Sequence, residues 1–208
     1  MRNFPARNLK EFAAFKKLST PAKVQDFLNR LPINFEYTGE TLRSPLETLR
    51  HREAHCFEGA LLAAAIFWYH GAPPLLLDLE TAPDDESHVV ALFKQNGHWG
   101  AVSKTNHAAL RFRDPIYKTI RELALSYFNE YFKDNGKKTL RRYSDPINLL
   151  RFGSNWLTSE KDLWYIDEAL NTTPHSHLIN KKMVNQLRLA DPIEIKAGKL
   201  VEWKKRKK

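Results

Sequence analysis

A single cysteine, Cys56, stands where Ala54-His55 leads from a loop into the apolar run Gly59 to Tyr69. That pattern predicts a helix beginning near Cys56 and stopping at His70-Gly71, where glycine suits a left-handed C-terminal position. A thiol at a helix N-terminus feels the positive end of the helix dipole, which favours the nucleophilic thiolate. Ala54-His55 offers no strong side-chain cap, so the first-turn N–H groups are expected to be free to hold an oxyanion. Ala60, Ala63 and Ala64 fall on the cysteine's side and would let the helix press closely onto a sheet. Glu58 works against activation, because a nearby carboxylate raises a thiol's pKa. A lone cysteine is more often a small buried hydrophobe than a nucleophile, so the case needs a base.

The base must come from elsewhere in the chain. Of eight histidines, His88 is best placed, at the mouth of an expected strand just after Asp84-Asp85-Glu86-Ser87 and anchored by Val89 and Val90. Alone it would read as a satisfied surface histidine. If Phe93 pairs with His98 across the following hairpin, His88 lies opposite Ser103. A third group usually orients the imidazole. Ser103 is the candidate by geometry and Asn106, just past the strand end, the candidate by chemistry. Asp114 has suitable chemistry, but the same register puts it near Trp99, at the wrong end.

The elements that must position these residues read as helices, then a strand meander, then helices. Helices are expected over Asn8 to Leu18, from the Thr20-Pro21 cap through Leu28, and from the Ser44-Pro45-Leu46-Glu47 capping box to about His51. Leu75 to Leu79, His88 to Phe93 and His98 to Lys104 read as strands, with turn chemistry in Gln95-Asn96-Gly97 and a fourth strand over Leu110 to Arg113. Helical spacing returns over Thr119 to Phe132, and Ser159 is placed as the cap of a last clear helix through Leu170. The fold class is therefore α+β.

Hydrophobic residues make up 42% of the chain and aromatics 12%, enough for a sizeable core. The run Gly59 to Tyr69 is too short to span a bilayer, and no apolar secretory core follows Met1-Arg-Asn-Phe-Pro. With one cysteine and no internal disulfide, the default location is cytoplasmic, without a membrane partner. The net charge of +9 gathers in the first helix, at Lys137, Lys138, Arg141 and Arg142 in a later loop, and in Lys204 to Lys208. Such runs are read as solvated, the last as a mobile tail dispensable for folding, with weak non-specific polyanion contact as the secondary reading. His51 and His55 have a metal-ligand spacing, but Arg52 stands where a metalloprotease helix needs glutamate. No phosphate loop or nucleophile elbow is present, and no cofactor or metal is expected.

Three segments taken together resemble the transglutaminase-like superfamily: Ala54-His55-Cys56-Phe57-Glu58-Gly59-Ala60, the strand from His88 through Phe93, and Gly97-His98-Trp99-Gly100-Ala101-Val102. The stretch from Ser103 to Phe128 is similar to a bacterial branch of it, and the likeness covers about Thr41 to Leu170. The resemblance implies a papain-like core in which a helix bearing the cysteine packs on a small antiparallel sheet. It divides the chain into an N-terminal helical segment (1–40), the core (41–170) and an extension with a basic tail (171–208). It implies Cys56 as nucleophile and His88 as base. Four residues after Trp99, where it implies aspartate, this chain has Ser103. The expected activity is thiol-dependent acyl transfer or amide hydrolysis on a peptide or protein. A domain with a weakened site that binds a peptide or partner is the alternative.

Overall fold

The computed structural model describes residues 3–205. A 3₁₀ helix, Lys10–Lys17, precedes α1 (Pro21–Arg30), α2 (Pro45–His51) and α3 (Cys56–Tyr69). Thr20 and Ser44 cap α1 and α2 by accepting the N–H groups of Lys23 and Glu47. Strands β1 (Leu75–Thr81), β2 (His88–Gln95), β3 (His98–Val102) and β4 (Arg113–Tyr117) follow. Helix α4 (Ile120–Ser126) leads to β5 (Leu140–Ser144), β6 (Ile147–Asn148), α5 (Trp164–Thr172), β7 (His175–His177), α6 (Lys181–Val184) and α7 (Pro192–Gly198).

Among the described residues the strands form one antiparallel seven-stranded sheet, ordered β4-β3-β2-β1-β5-β7, with β6 also on β1. The mixed α+β class follows from this arrangement. Alternation along the strands divides the core. Leu76, Val89, Ala91, Phe93 and Val102 pack with α3, α1, α2 and the 3₁₀ residues Phe12 and Phe15. Leu77, Leu79, Val90, Leu92 and Ala101 face Leu123, Ala124, Tyr127 and Tyr131 instead. Phe57 through Tyr69 are all buried, as suits a helix that is apolar on every side.

Gly59 marks the tightest approach of α3 to the sheet. A Cβ there would lie 2.3 Å from the Cβ of Lys104, an atom fixed to the backbone. Alanine in an ordinary helix interior stabilises relative to glycine. Here Gly59→Ala is expected to destabilise, by about 1–3 kcal/mol, through overpacking. A denaturant midpoint at or above that of the parent would show that the contact relaxes freely.

Several expectations need correction. The β2–β3 hairpin closes through the two residues Asn96 and Gly97, both with positive φ (51° and 81°), so Gln95 pairs with His98 and Phe93 with Gly100. A two-residue turn matches the right-handed strand twist, and it shifts the expected register by two residues. The fourth strand begins at Arg113, because Leu110 turns into the left-handed region at φ 59°. Helix α4 stops at Ser126, and Ser159 caps no helix. After α4 the chain returns to the sheet, and Arg141 and Arg142, placed in a loop from sequence, sit on β5.

Candidate active site

Cys56 opens α3 and His88 opens β2, and the imidazole of His88 hydrogen-bonds the thiol. On its far side, Nε2 of His88 lies 2.6 Å from Oγ of Ser103. That hydroxyl donates its own proton to the carbonyl of Leu110, at 2.6 Å. The hydroxyl hydrogen being committed, Oγ accepts from the imidazole, which fixes a proton on Nε2 and turns Nδ1 to the sulfur. The left-handed turn at Leu110 is what brings that carbonyl within reach. Ser103 is in turn clamped by Gln25 of α1, whose amide accepts from its N–H at 3.0 Å and donates to its carbonyl at 2.7 Å. His88 and Ser103 are buried, while Cys56 is half-buried.

A second imidazole reaches the same sulfur. His55, the residue before the helix, hydrogen-bonds the thiol, and its Nε2 donates to the carbonyl of Thr41 at 2.7 Å. The carboxylates of Glu58 and Glu36 lie 3.7 and 3.8 Å from that nitrogen. Burial works against a charge on this ring, but the bond to Cys56 and the negative charges of Glu58 and of the sulfur raise its pKa to about 9. Burial likewise pushes the thiol up. The hydrogen bonds and charges of His55 and His88 outweigh it and bring Cys56 down to about 5. At neutral pH the resulting charge state is a thiolate beside an imidazolium.

Glu58 therefore acts in the opposite sense to its sequence reading. It turns away from the sulfur and accepts from the His55 N–H at 3.2 Å, Asn34 Nδ2 at 3.1 Å and Thr41 Oγ1 at 2.9 Å. From there its charge favours the His55 cation, which in turn favours the thiolate. His55 was weighed from sequence only as a weak cap and a metal ligand. It and His51 do not share a helix, because Arg52 ends α2 in the left-handed conformation. Among the described residues no group of three His, Cys, Asp or Glu is placed to hold a metal ion. His55 precedes Cys56 directly, and that adjacency was the available signal. Gln25, 78 residues from Ser103, gave none.

The pair opens into a cleft of about 620 Å³ between the Ile33–Glu36 loop, the Asp85–His88 approach and the loop after β3. Tyr131 pins the approach by donating to the Glu86 carbonyl at 2.7 Å. Asn106 also lines the cleft, but its amide is turned to Trp203 and not to the imidazole. Asp114 is exposed on the edge strand β4. Glu202 and Trp203 are bonded to Asn106, so the strongly charged end of the chain is preceded by a docked segment. Lys204 and Lys205 are exposed, and Arg206 to Lys208 lie outside the described residues. No helix among the described residues is long and apolar enough to cross a membrane. Scans against models of known protein families and against curated proteins find no match to the chain.

Proposed function

We propose that the protein is a cysteine acyltransferase or amide hydrolase of transglutaminase-like, papain-like type, acting on peptide or protein carbonyls. The observation that carries this reading is one thiol held by two imidazoles, one of them anchored at its far nitrogen by a hydroxyl with a committed proton. A buried structural cysteine has no need of either ring.

In the reaction Cys56 cedes its proton to Nδ1 of His88 and the thiolate attacks the carbonyl carbon, forming the C–S bond while the C=O π pair moves to oxygen. The sequence expectation of an uncapped helix start needs correction, since a capping box of His55 and Glu58 engages the Glu58 N–H. The N–H groups of Cys56 and Phe57, which lack intrahelical acceptors, stabilise that oxyanion. Collapse breaks the bond to the leaving amine, and His88 supplies that amine with a proton from Nδ1. Water or an acceptor amine then attacks the thioester, His88 takes its proton, and the thiolate leaves. His55 stays charged throughout and holds the sulfur anionic. Ser103 keeps the His88 ring in one tautomer, as the third group of other such sites does, but without a formal charge. A thiolate of this kind belongs in a reducing compartment, which makes the cytoplasm the proposed location.

The test is acylation by a p-nitrophenyl ester. A burst of one nitrophenolate per chain is expected, with the acyl group on Cys56 by peptide mass mapping and no burst in Cys56→Ser. Acylation no faster than that of free cysteine at the same pH would overturn the proposal. Ser103→Ala should keep the burst but slow the following turnover about tenfold, the worth of one orienting hydrogen bond. An unchanged turnover would remove Ser103 from the machinery.

A further inference from the structure

Residues 200–203 run beside the segment Asn106 to Ala108, whose Asn106 and His107 line the cleft, and pair with it through one antiparallel bridge. The N–H of Glu202 donates to the Asn106 carbonyl at 2.9 Å, and the N–H of Ala108 to the Leu200 carbonyl at 3.2 Å. Val201 and His107 face each other as an antiparallel bridge. The Asn106 side chain completes the pairing, accepting from the Trp203 N–H at 2.8 Å and donating to its carbonyl at 2.9 Å. Past this segment the chain reaches the cleft at Lys205. Lys205 lines the same cleft as Cys56 and stands 5.8 Å from the ring centre of Tyr37, beyond the opposite rim residues Phe35 and Glu36.

Two features set this segment apart from a fixed wall. All four hydrogen bonds engage its backbone, so they would serve any extended peptide with a free N–H and C=O at those places. Its own side chains add less: Glu202 accepts from Arg111 at 3.0 Å, a solvent-exposed ion pair of small worth, Leu200 and Val201 remain exposed (62% and 41%), and the buried indole N–H of Trp203 has no hydrogen-bond partner. We propose that the edge from Asn106 to Ala108 is a docking edge for an extended peptide, occupied in the free protein by residues 200–203, which a substrate must displace. The inference rests on the thiol reading above and narrows its substrate to unfolded or extended polypeptide, delivered by strand pairing beside the sulfur.

The test uses the full chain. Glu202→Pro removes the N–H given to Asn106, and Asn106→Ala removes the amide clamp by an independent route. Cys56 alkylation is followed with a small haloacetamide and with a maleimide on a long polyethylene glycol chain. A fluorescent peptide with the sequence of residues 200–205 is titrated in parallel. In Glu202→Pro the small reagent should react as in the parent, while the bulky one should gain about tenfold and the peptide should bind about tenfold more tightly. Asn106→Ala should admit the bulky reagent yet bind the peptide poorly, having lost part of the edge. Unchanged bulky labelling together with no peptide binding to Glu202→Pro would overturn the proposal and leave the segment a structural wall. A thiol equally slow toward the small reagent in all forms would instead sink the thiol reading, and peptide binding would still decide the edge.

Discussion

Alkylation of Cys56 by a small haloacetamide should proceed at nearly constant rate through neutral pH and fall only as the pH drops through about 5. A free thiol would lose its thiolate below about pH 8.5. Replacing His55 by phenylalanine removes a hydrogen bond and the cation that oppose the burial penalty. The thiol should then return toward its ordinary range, and at pH 6 the rate should fall by about one hundredfold. An equal rate in the variant would show that His88 alone activates the sulfur. The same groups give stability a signature. Cys56 has its pKa lowered on folding, so its contribution is present above the unfolded value and is lost as pH falls through about 5. His55 has its pKa raised, so its contribution is present below the unfolded value and is lost as pH rises through about 9. The two slopes oppose each other between about pH 6.5 and 9. From this pair, stability should therefore climb from about pH 5 to 6.5 and then run level.

Substitution of Glu58 should be the most destabilising single change in the site. Its fully buried carboxylate accepts from Asn34, Thr41, and the backbone N–H groups of Arg43 and His55, and lies 3.8 Å from the Arg43 guanidinium. Glu58→Leu leaves those donors unpaired and the His55 cation without its counter-charge. The expected loss is about 3–5 kcal/mol, the usual penalty for breaking a buried charged network from one side. For a chain of this size that lowers Tm by roughly 10 °C. Glu58→Gln keeps the shape and should lose less, while slowing Cys56 labelling at pH 6 by withdrawing the charge that favours the His55 cation. A Tm within a degree or two of the parent in both variants would show that water replaces the carboxylate without cost.

The amino-acid sequence determined the local pieces of this site. The apolar run after Cys56 can be satisfied only by a helix buried on every side, and Gly71, with φ 88°, marks where it ends. His88 and the alternation behind it specify a strand start, and Asn96-Gly97 specifies a hairpin. What remained open at that level was register, because the same turn residues serve loops of different length, and only pairing across β2 and β3 fixed Gln95 opposite His98. The return of the chain to β5, β6 and β7 was hidden for a similar reason. Those strands are short, two to five residues long, and are defined by partners on β1 and on one another, not by their own periodicity. Tertiary structure also decided which polar side chains meet. Gln25 finds Ser103 across 78 residues and Asn106 finds Trp203 across 97. Glu58 turns from the sulfur because burial at the start of α3 leaves it four donors on the other side. Such contacts carry no signature along the chain, since a buried polar group is satisfied by whatever packing brings to it in space.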